Sequence, residues 1–221
     1  MPDYATTRDR VETYFDRTAT KAWERLTSDA PVSRIRQTVR EGRDRMRALM
    51  LAQLPQDLRG ARVLDAGCGT GMMTEELAQR GATVTAADIS PKLVEIAHDR
   101  LPPTLRQQVT FHAGDMTDPR LGAFDAVVAM DSLIHYEAPD MIAAVEALRA
   151  RTSGSVLFTF APSNPLLETM HFVGKAFPRG DRSPAIAPVR EAVLRKALGG
   201  GRTERISAGF YTSQALEVLP A

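Results

Sequence analysis

A single cysteine, Cys68, stands in 221 residues, so the chain cannot close a disulfide within itself and suits a reducing compartment. No apolar run reaches the length of a membrane span, and the first residues lack a basic stretch followed by an apolar core. A cytoplasmic protein is therefore expected, with peripheral contact at a membrane surface left open. His, Cys and carboxylates nowhere gather at ligand spacing, which predicts no protein metal site. Net charge is only +1, without the dense basic stripe that nucleic acid requires. The charge is uneven, however: residues 1–60 carry 12 Lys/Arg against 9 Asp/Glu, residues 61–160 carry 8 against 13, and residues 161–221 carry 8 against 5. Basic flanks around an acidic centre suit a small anionic substrate held between flanking elements. The apolar and charged fractions, 43% and 25%, are those of one folded domain with a full core.

What the chain does contain is a nucleotide-type turn. Residues 62–71 read as a buried strand, Val63-Leu64-Asp65, that bends on Gly67, Gly69 and Gly71 and opens directly into a helix. A Cβ at those positions would block positive φ angles or close approach of a ligand. Cys68 sits inside the turn, where a small side chain is required, followed by Thr70. The spacing is G-x-G-x-G and not the G-x-G-x-x-G that seats a dinucleotide pyrophosphate, which disfavours a nicotinamide dehydrogenase.

Asp65 followed by these three glycines, after Val63-Leu64, resembles the first motif of the class I S-adenosylmethionine-dependent methyltransferases. The resemblance implies a Rossmann-like α/β fold whose turn passes under the methionine and ribose of the cofactor. The next strand ends at Asp88, where a carboxylate grips ribose hydroxyls, with Ile89 against the adenine. The third ends at Gly114-Asp115-Met116, and the family places there an acid that accepts from the adenine amino group. The fourth, residues 124–130, ends at Met130, followed by Asp131-Ser132. Cofactor-type residues thus recur at the carboxyl ends of four successive strands, where open α/β sheets bind ligands.

Around this centre the pattern predicts an N-terminal helical arm or cap over residues 1–57 and a methyltransferase domain over 58–221. Within the arm, Val11, Tyr14, Phe15, Thr18, Ala22 and Leu26 recur at helical spacing over residues 8–27. A second helix starts near Ser33 and stops before Pro55. It should turn Ile35, Val39, Met46, Leu49 and Met50 inward and its six arginines mostly outward. Strand and helix then alternate, which implies parallel strands with helices on both faces. Ser90-Pro91 caps the helix over 91–101, a further helix covers 139–151, and strand five covers 155–160. Residues 162–184 read as a lid of short apolar helix and basic loop. Ser183-Pro184 should cap a helix to about Leu198, and residues 205–218 should close a seven-stranded, mostly parallel sheet as a hairpin with one antiparallel strand.

The stretches Tyr14-Phe15, Trp23-Glu24-Arg25, Val32–Arg36, Thr38–Gly42, Ala129–Tyr136, Phe158–Pro162 and Phe177–Ile186 resemble the magnesium-protoporphyrin IX methyltransferases of bacteriochlorophyll biosynthesis. That resemblance implies methylation of one propionate of magnesium protoporphyrin IX, with S-adenosylhomocysteine as by-product and magnesium present only within the porphyrin. It also implies delivery of the porphyrin by the large porphyrin-binding subunit of magnesium chelatase. The residues suit such a ligand: Phe172 and Phe177 for a flat apolar plate, and Arg36, Arg179 and Arg182 for its acidic tails. His135 is the candidate that orients the acceptor carboxylate, with Tyr14 completing the catalytic pocket. A methyltransferase of another acid or of a phenol, and a non-catalytic tetrapyrrole carrier, share the same cofactor strands.

Overall fold

The computed structural model describes residues 4–16, 20, 24, 27, 31, 33–163 and 185–220. Seven strands build one sheet: β1 (Arg62–Ala66), β2 (Thr83–Asp88), β3 (Val109–Ala113), β4 (Ala126–Ala129), β5 (Val156–Phe160), β6 (Thr203–Ala208) and β7 (Tyr211–Val218). Their order is β3-β2-β1-β4-β5-β7-β6, with β7 antiparallel to both its neighbours and every other pairing parallel. The class I methyltransferase arrangement expected from the motifs is the one found.

Strands β1, β4 and β5 are buried on both faces, so they carry near-continuous apolar runs. Because successive residues point to opposite faces, Val63, Val128 and Leu157 enter one core while Leu64, Val127 and Phe158 enter the other. The first core is closed by α2 (Arg34–Ala52) and α3 (Met72–Gln79) through Met46, Met50, Met73 and Leu77. The second is closed by α5 (Ala138–Arg149) and α6 (Glu191–Leu198) through Met141, Leu148, Leu194 and Leu198. Between them α4 (Pro91–Arg100) starts as expected, with the Ser90 hydroxyl accepting from the Leu93 N–H and Pro91 at the first helical position.

Several boundaries differ from the sequence expectation. The arm helix α1 runs Tyr4–Tyr14, starting four residues earlier than the periodicity suggested. Thr18, Ala22, Trp23 and Leu26, also assigned to it, lie outside the described residues, as do residues 164–184 of the lid. The last helix begins at Glu191, not after Ser183-Pro184. Residues 185–190 instead run extended beside the end of β5, the Val189 N–H donating to the Ala161 carbonyl and the Ser163 N–H to the Val189 carbonyl. Pro188 lacks the N–H a helix needs and biases Ala187 toward extended backbone, which delays the helix. On α2, Ile35 is exposed rather than inward, and two of the arginines expected outside, Arg43 and Arg47, turn in.

Candidate active site

The crevice lies between β1 and β4, where the order of the parallel strands reverses and open α/β sheets take their ligands. It is a cleft of about 950 Å³ with its mouth included. The glycine turn forms its floor. Gly67 has φ 87°, and a Cβ there would come within 2.2 Å of the Ser132 Cβ, because the Ser132 hydroxyl reaches across to donate to the Ala66 carbonyl. Gly71 takes φ 86° at the N-cap of α3, with Ala97 packed against it. The N–H groups of Gly67 and Cys68 both donate to the Ala87 carbonyl, which ties the bend to β2.

Asp88 is aimed by backbone: one carboxylate oxygen accepts from the Gly69 N–H at 2.8 Å and the other from the Ser90 N–H at 2.9 Å. Each oxygen keeps a further lone pair, the arrangement a ribose diol needs. Burial pushes the Asp88 carboxyl up to about 6 despite these hydrogen bonds. Asp65, 1% exposed, accepts from the Thr74 hydroxyl, and burial together with the nearby Asp88 raises it to about 7. Two buried acids held above the usual carboxylate range make a crevice that favours a cationic ligand. Burial also raises the Cys68 thiol well above its ordinary value, so it stays protonated and is no nucleophile.

At the β3 end, Asp115 accepts from the Tyr4 hydroxyl (3.0 Å), the Thr117 N–H (2.8 Å) and the Thr117 hydroxyl (2.7 Å), with Arg8 at 3.5 Å. Burial opposes ionisation there, but these donors outweigh it and hold the carboxyl below its ordinary range. Tyr4 stacks on Tyr136, centroids 4.8 Å apart and planes 24° apart, so α1 covers this end of the cleft. At the opposite end, Arg43 reaches in from α2 and binds Asp131 at 2.6 Å.

The fold brings together Asp65, Gly67, Cys68, Gly69, Thr70, Asp88, Ile89, Asp115, Met116, Met130 and His135 on the walls of this one cleft, with Gly71 capping the helix beneath. Tyr14 is one ring removed: it meets Phe15 edge-on at 5.2 Å, and Phe15 lines the cleft 6.2 Å from His135. Arg36 is exposed on the first turn of α2 and away from the cleft wall. Phe172, Phe177, Arg179 and Arg182 lie outside the described residues. Sequence reasoning missed Tyr4, Arg8, Arg43, Arg47 and Tyr136. A signal for two of them exists, since Arg36, Arg40, Arg43 and Arg47 stand at i, i+4, i+7 and i+11, one face of a helix. Among the described residues no group of three or more His, Cys, Asp or Glu is placed to hold a metal ion.

Residues 129–220 match the family model "Magnesium-protoporphyrin IX methyltransferase C-terminus", and residues 63–153 match "Methyltransferase domain". A magnesium-protoporphyrin O-methyltransferase of Rhodobacter capsulatus is 56% identical over 224 residues, covering 100% of both chains. Its counterpart from Synechocystis sp. is 32% identical over 95% of this chain and 94% of that one. The crystal structure of the magnesium protoporphyrin IX methyltransferase of Synechocystis PCC 6803 with bound SAH superposes with a TM-score of 0.82, over 97% of this chain and 100% of that one, at 32% identity. The SAM-bound crystal structure gives a TM-score of 0.78.

Proposed function

The chain belongs to the magnesium-protoporphyrin O-methyltransferases, and on that premise we propose how its own residues carry the reaction. It transfers the methyl group of S-adenosylmethionine to a propionate carboxylate of magnesium protoporphyrin IX, giving the monomethyl ester and S-adenosylhomocysteine. The observation that carries this reading is the full-length match to the R. capsulatus enzyme together with a cleft whose polar groups fit the cofactor part by part.

The fit follows from charge and shape. Asp88, Ile89, Asp115 and Met116 all line the cleft; there Asp88 would hold the ribose diol, Ile89 and Met116 would pack against the adenine, and Asp115 would accept from its amino group. Asp65, beside the glycine turn, suits the ammonium group, and Arg43 and Arg47 suit the amino-acid carboxylate. The cofactor, when bound, supplies an electrophilic sulfonium methyl.

The chain's task at the acceptor is positional. A propionate, like a Glu side chain, has a pKa of about 4.3 and is already ionised at neutral pH, so no strong base is required. What must be overcome is its hydration and its freedom to rotate. His135, in the turn that follows β4, hydrogen-bonds the carboxylate and holds one oxygen in line with the methyl, an alignment worth several kcal/mol. Phe15, edge-on to His135, keeps water from that side, and Tyr14 supports Phe15. Arg36, Phe172, Phe177, Arg179 and Arg182 remain the candidates for the plate and for the second propionate.

Two further expectations belong to the same reading. The first is that the large porphyrin-binding subunit of magnesium chelatase is the donor of the porphyrin. The second is a cytoplasmic location. Mass spectrometry of protein, S-adenosylmethionine and magnesium protoporphyrin tests the core of the reading. A gain of one methyl is expected; no gain, or a gain on a smaller acid in preference, overturns it.

A further inference from the structure

Asp131 is the one non-glycine residue with positive φ, 53°, among the described residues. Such backbone is strained for a residue that carries a Cβ and persists only where the surroundings hold it in place. Here they do so from three elements. The Asp131 side chain is 4% exposed and accepts from Arg43 Nη1 (2.6 Å, α2), the Thr159 hydroxyl (3.2 Å, β5), the Ser213 hydroxyl (3.2 Å, β7) and the Tyr211 hydroxyl (3.2 Å to either oxygen, β7). Its own N–H donates to the Thr159 hydroxyl at 2.7 Å.

The spacing between α2 and β7 is set by a missing Cβ. Gly42 packs against the base of the Tyr211 side chain, and a Cβ there would stand 2.5 Å from Tyr211 Cδ1. The next residue along α2 is Arg43, which this contact brings to the Asp131 carboxylate. Arg43 also lines the cofactor cleft, its side chain 18% exposed. Its place is defined by the sheet order. Asp88 and Asp115 mark the β2 and β3 ends of the crevice, whereas Asp131 follows β4, two strands away from β2. A ligand with ribose at Asp88 and adenine beyond it therefore presents its other end, the amino acid, toward Arg43.

The geometry points to Asp131 as a positioning residue for the cofactor: it takes Nη1 of Arg43 in a buried, four-donor grip and thereby fixes the rotation of a guanidinium that meets the amino-acid carboxylate. This inference rests on the assignment of Arg43 made above. A guanidinium carries five N–H donors in a rigid fork, so fixing one edge determines where the others point. Tyr211 and Gly42 serve the same end, the hydroxyl by orienting the carboxylate and the glycine by setting the distance.

The test separates positioning from simple stabilisation by using two ligands that differ only at the relevant end. S-Adenosylhomocysteine has the amino acid, and 5′-methylthioadenosine keeps adenine, ribose and sulfur without it. Calorimetric affinities for both are measured on wild type, Arg43→Ala and Asp131→Asn, with thermal melts alongside. Arg43→Ala should shrink the advantage of S-adenosylhomocysteine by about tenfold or more, and Asp131→Asn should do likewise while moving 5′-methylthioadenosine less than about twofold. In turnover, Asp131→Asn should raise KM for the cofactor more than it lowers kcat. If Arg43→Ala leaves the preference intact, the assignment of Arg43 fails and the inference with it. If Arg43→Ala removes the preference and Asp131→Asn does not, or weakens both ligands equally, the inference alone fails. Should Asp131→Asn not fold, Tyr211→Phe keeps the ring on Gly42 and removes one donor; the same selective loss at smaller size supports the inference, and its absence overturns it.

Discussion

Removing the Asp65 carboxylate should make the ligand-free protein more stable above neutral pH, even though Asp65 sits at the centre of the cofactor motif. Burial raises its pKa from an ordinary 3.8 to about 7. Between those values the unfolded chain has released the proton and the folded chain still holds it, so the folded state binds more protons and stability falls as pH rises. The contribution is fully present below pH 3.8 and is lost as pH passes through 7. At full extent the loss is about 4 kcal/mol, and the part falling between pH 5 and pH 8 is roughly 2–3 kcal/mol. Asp88, raised to about 6, adds a loss of the same sign over a lower window. Carboxyls lowered by arginine or backbone partners, such as Asp57 and Asp118, contribute the opposite slope below pH 4. The difference between wild type and Asp65→Asn isolates the one group, since asparagine can still accept from Thr74. Urea unfolding without cofactor at pH 5, 6, 7 and 8 should therefore show the variant gaining on wild type across the series. A constant difference between the two curves would refute the claim that Asp65 is held protonated. With S-adenosylhomocysteine present the order should invert, because the cofactor's ammonium favours the ionised carboxylate.

Gly67→Ala meets both a φ of 87° and the Ser132 Cβ, so a loss of about 2 kcal/mol or more in urea and of measurable S-adenosylhomocysteine binding is expected. Tyr4→Phe keeps the stack on Tyr136 and loses the hydrogen bond to Asp115. Calorimetry should show the cofactor bound several-fold more weakly, and the Asp115 carboxyl should move up. His135→Ala should cut kcat by about 10²-fold at saturating cofactor and porphyrin, and turnover at the wild-type rate would remove its orienting role.

What could be read from the chain was whatever repeats with a period or needs a special residue. The alternation of strand and helix, the glycine turn, the Ser90 cap and the acids after successive strands all carry such marks, and the sheet and cleft follow from them. The misjudged features depend on tertiary contact. Arg43 and Ile35 both lie on α2, and the amphipathic pattern places the isoleucine inside and the arginine outside. The fold reverses this, because a buried carboxylate waits for Arg43 just past β4 and nothing among the described residues covers Ile35. The delayed start of α6 has a similar cause: Val189 finds backbone partners at Ala161 and Ser163, which no local propensity reveals. Tyr4 had no visible role because its partner, Asp115, is 111 positions away.

The hairpin of β6 and β7 closes the sheet, yet Tyr211 and Ser213 reach a carboxylate 80 or more positions earlier in the chain. Strand β4 reaches β1 over 63 positions and β7 reaches β5 over 54 to 62, whereas the contacts from β7 to Asp131 close loops of 80 or more, so during refolding the rim beside β4 should mature after the strand pairings. A partly refolded chain thus carries a finished glycine bend and an unfinished rim. Ligand present during refolding selects for chains in which the hairpin has docked, and so acts as a template for the last step of assembly.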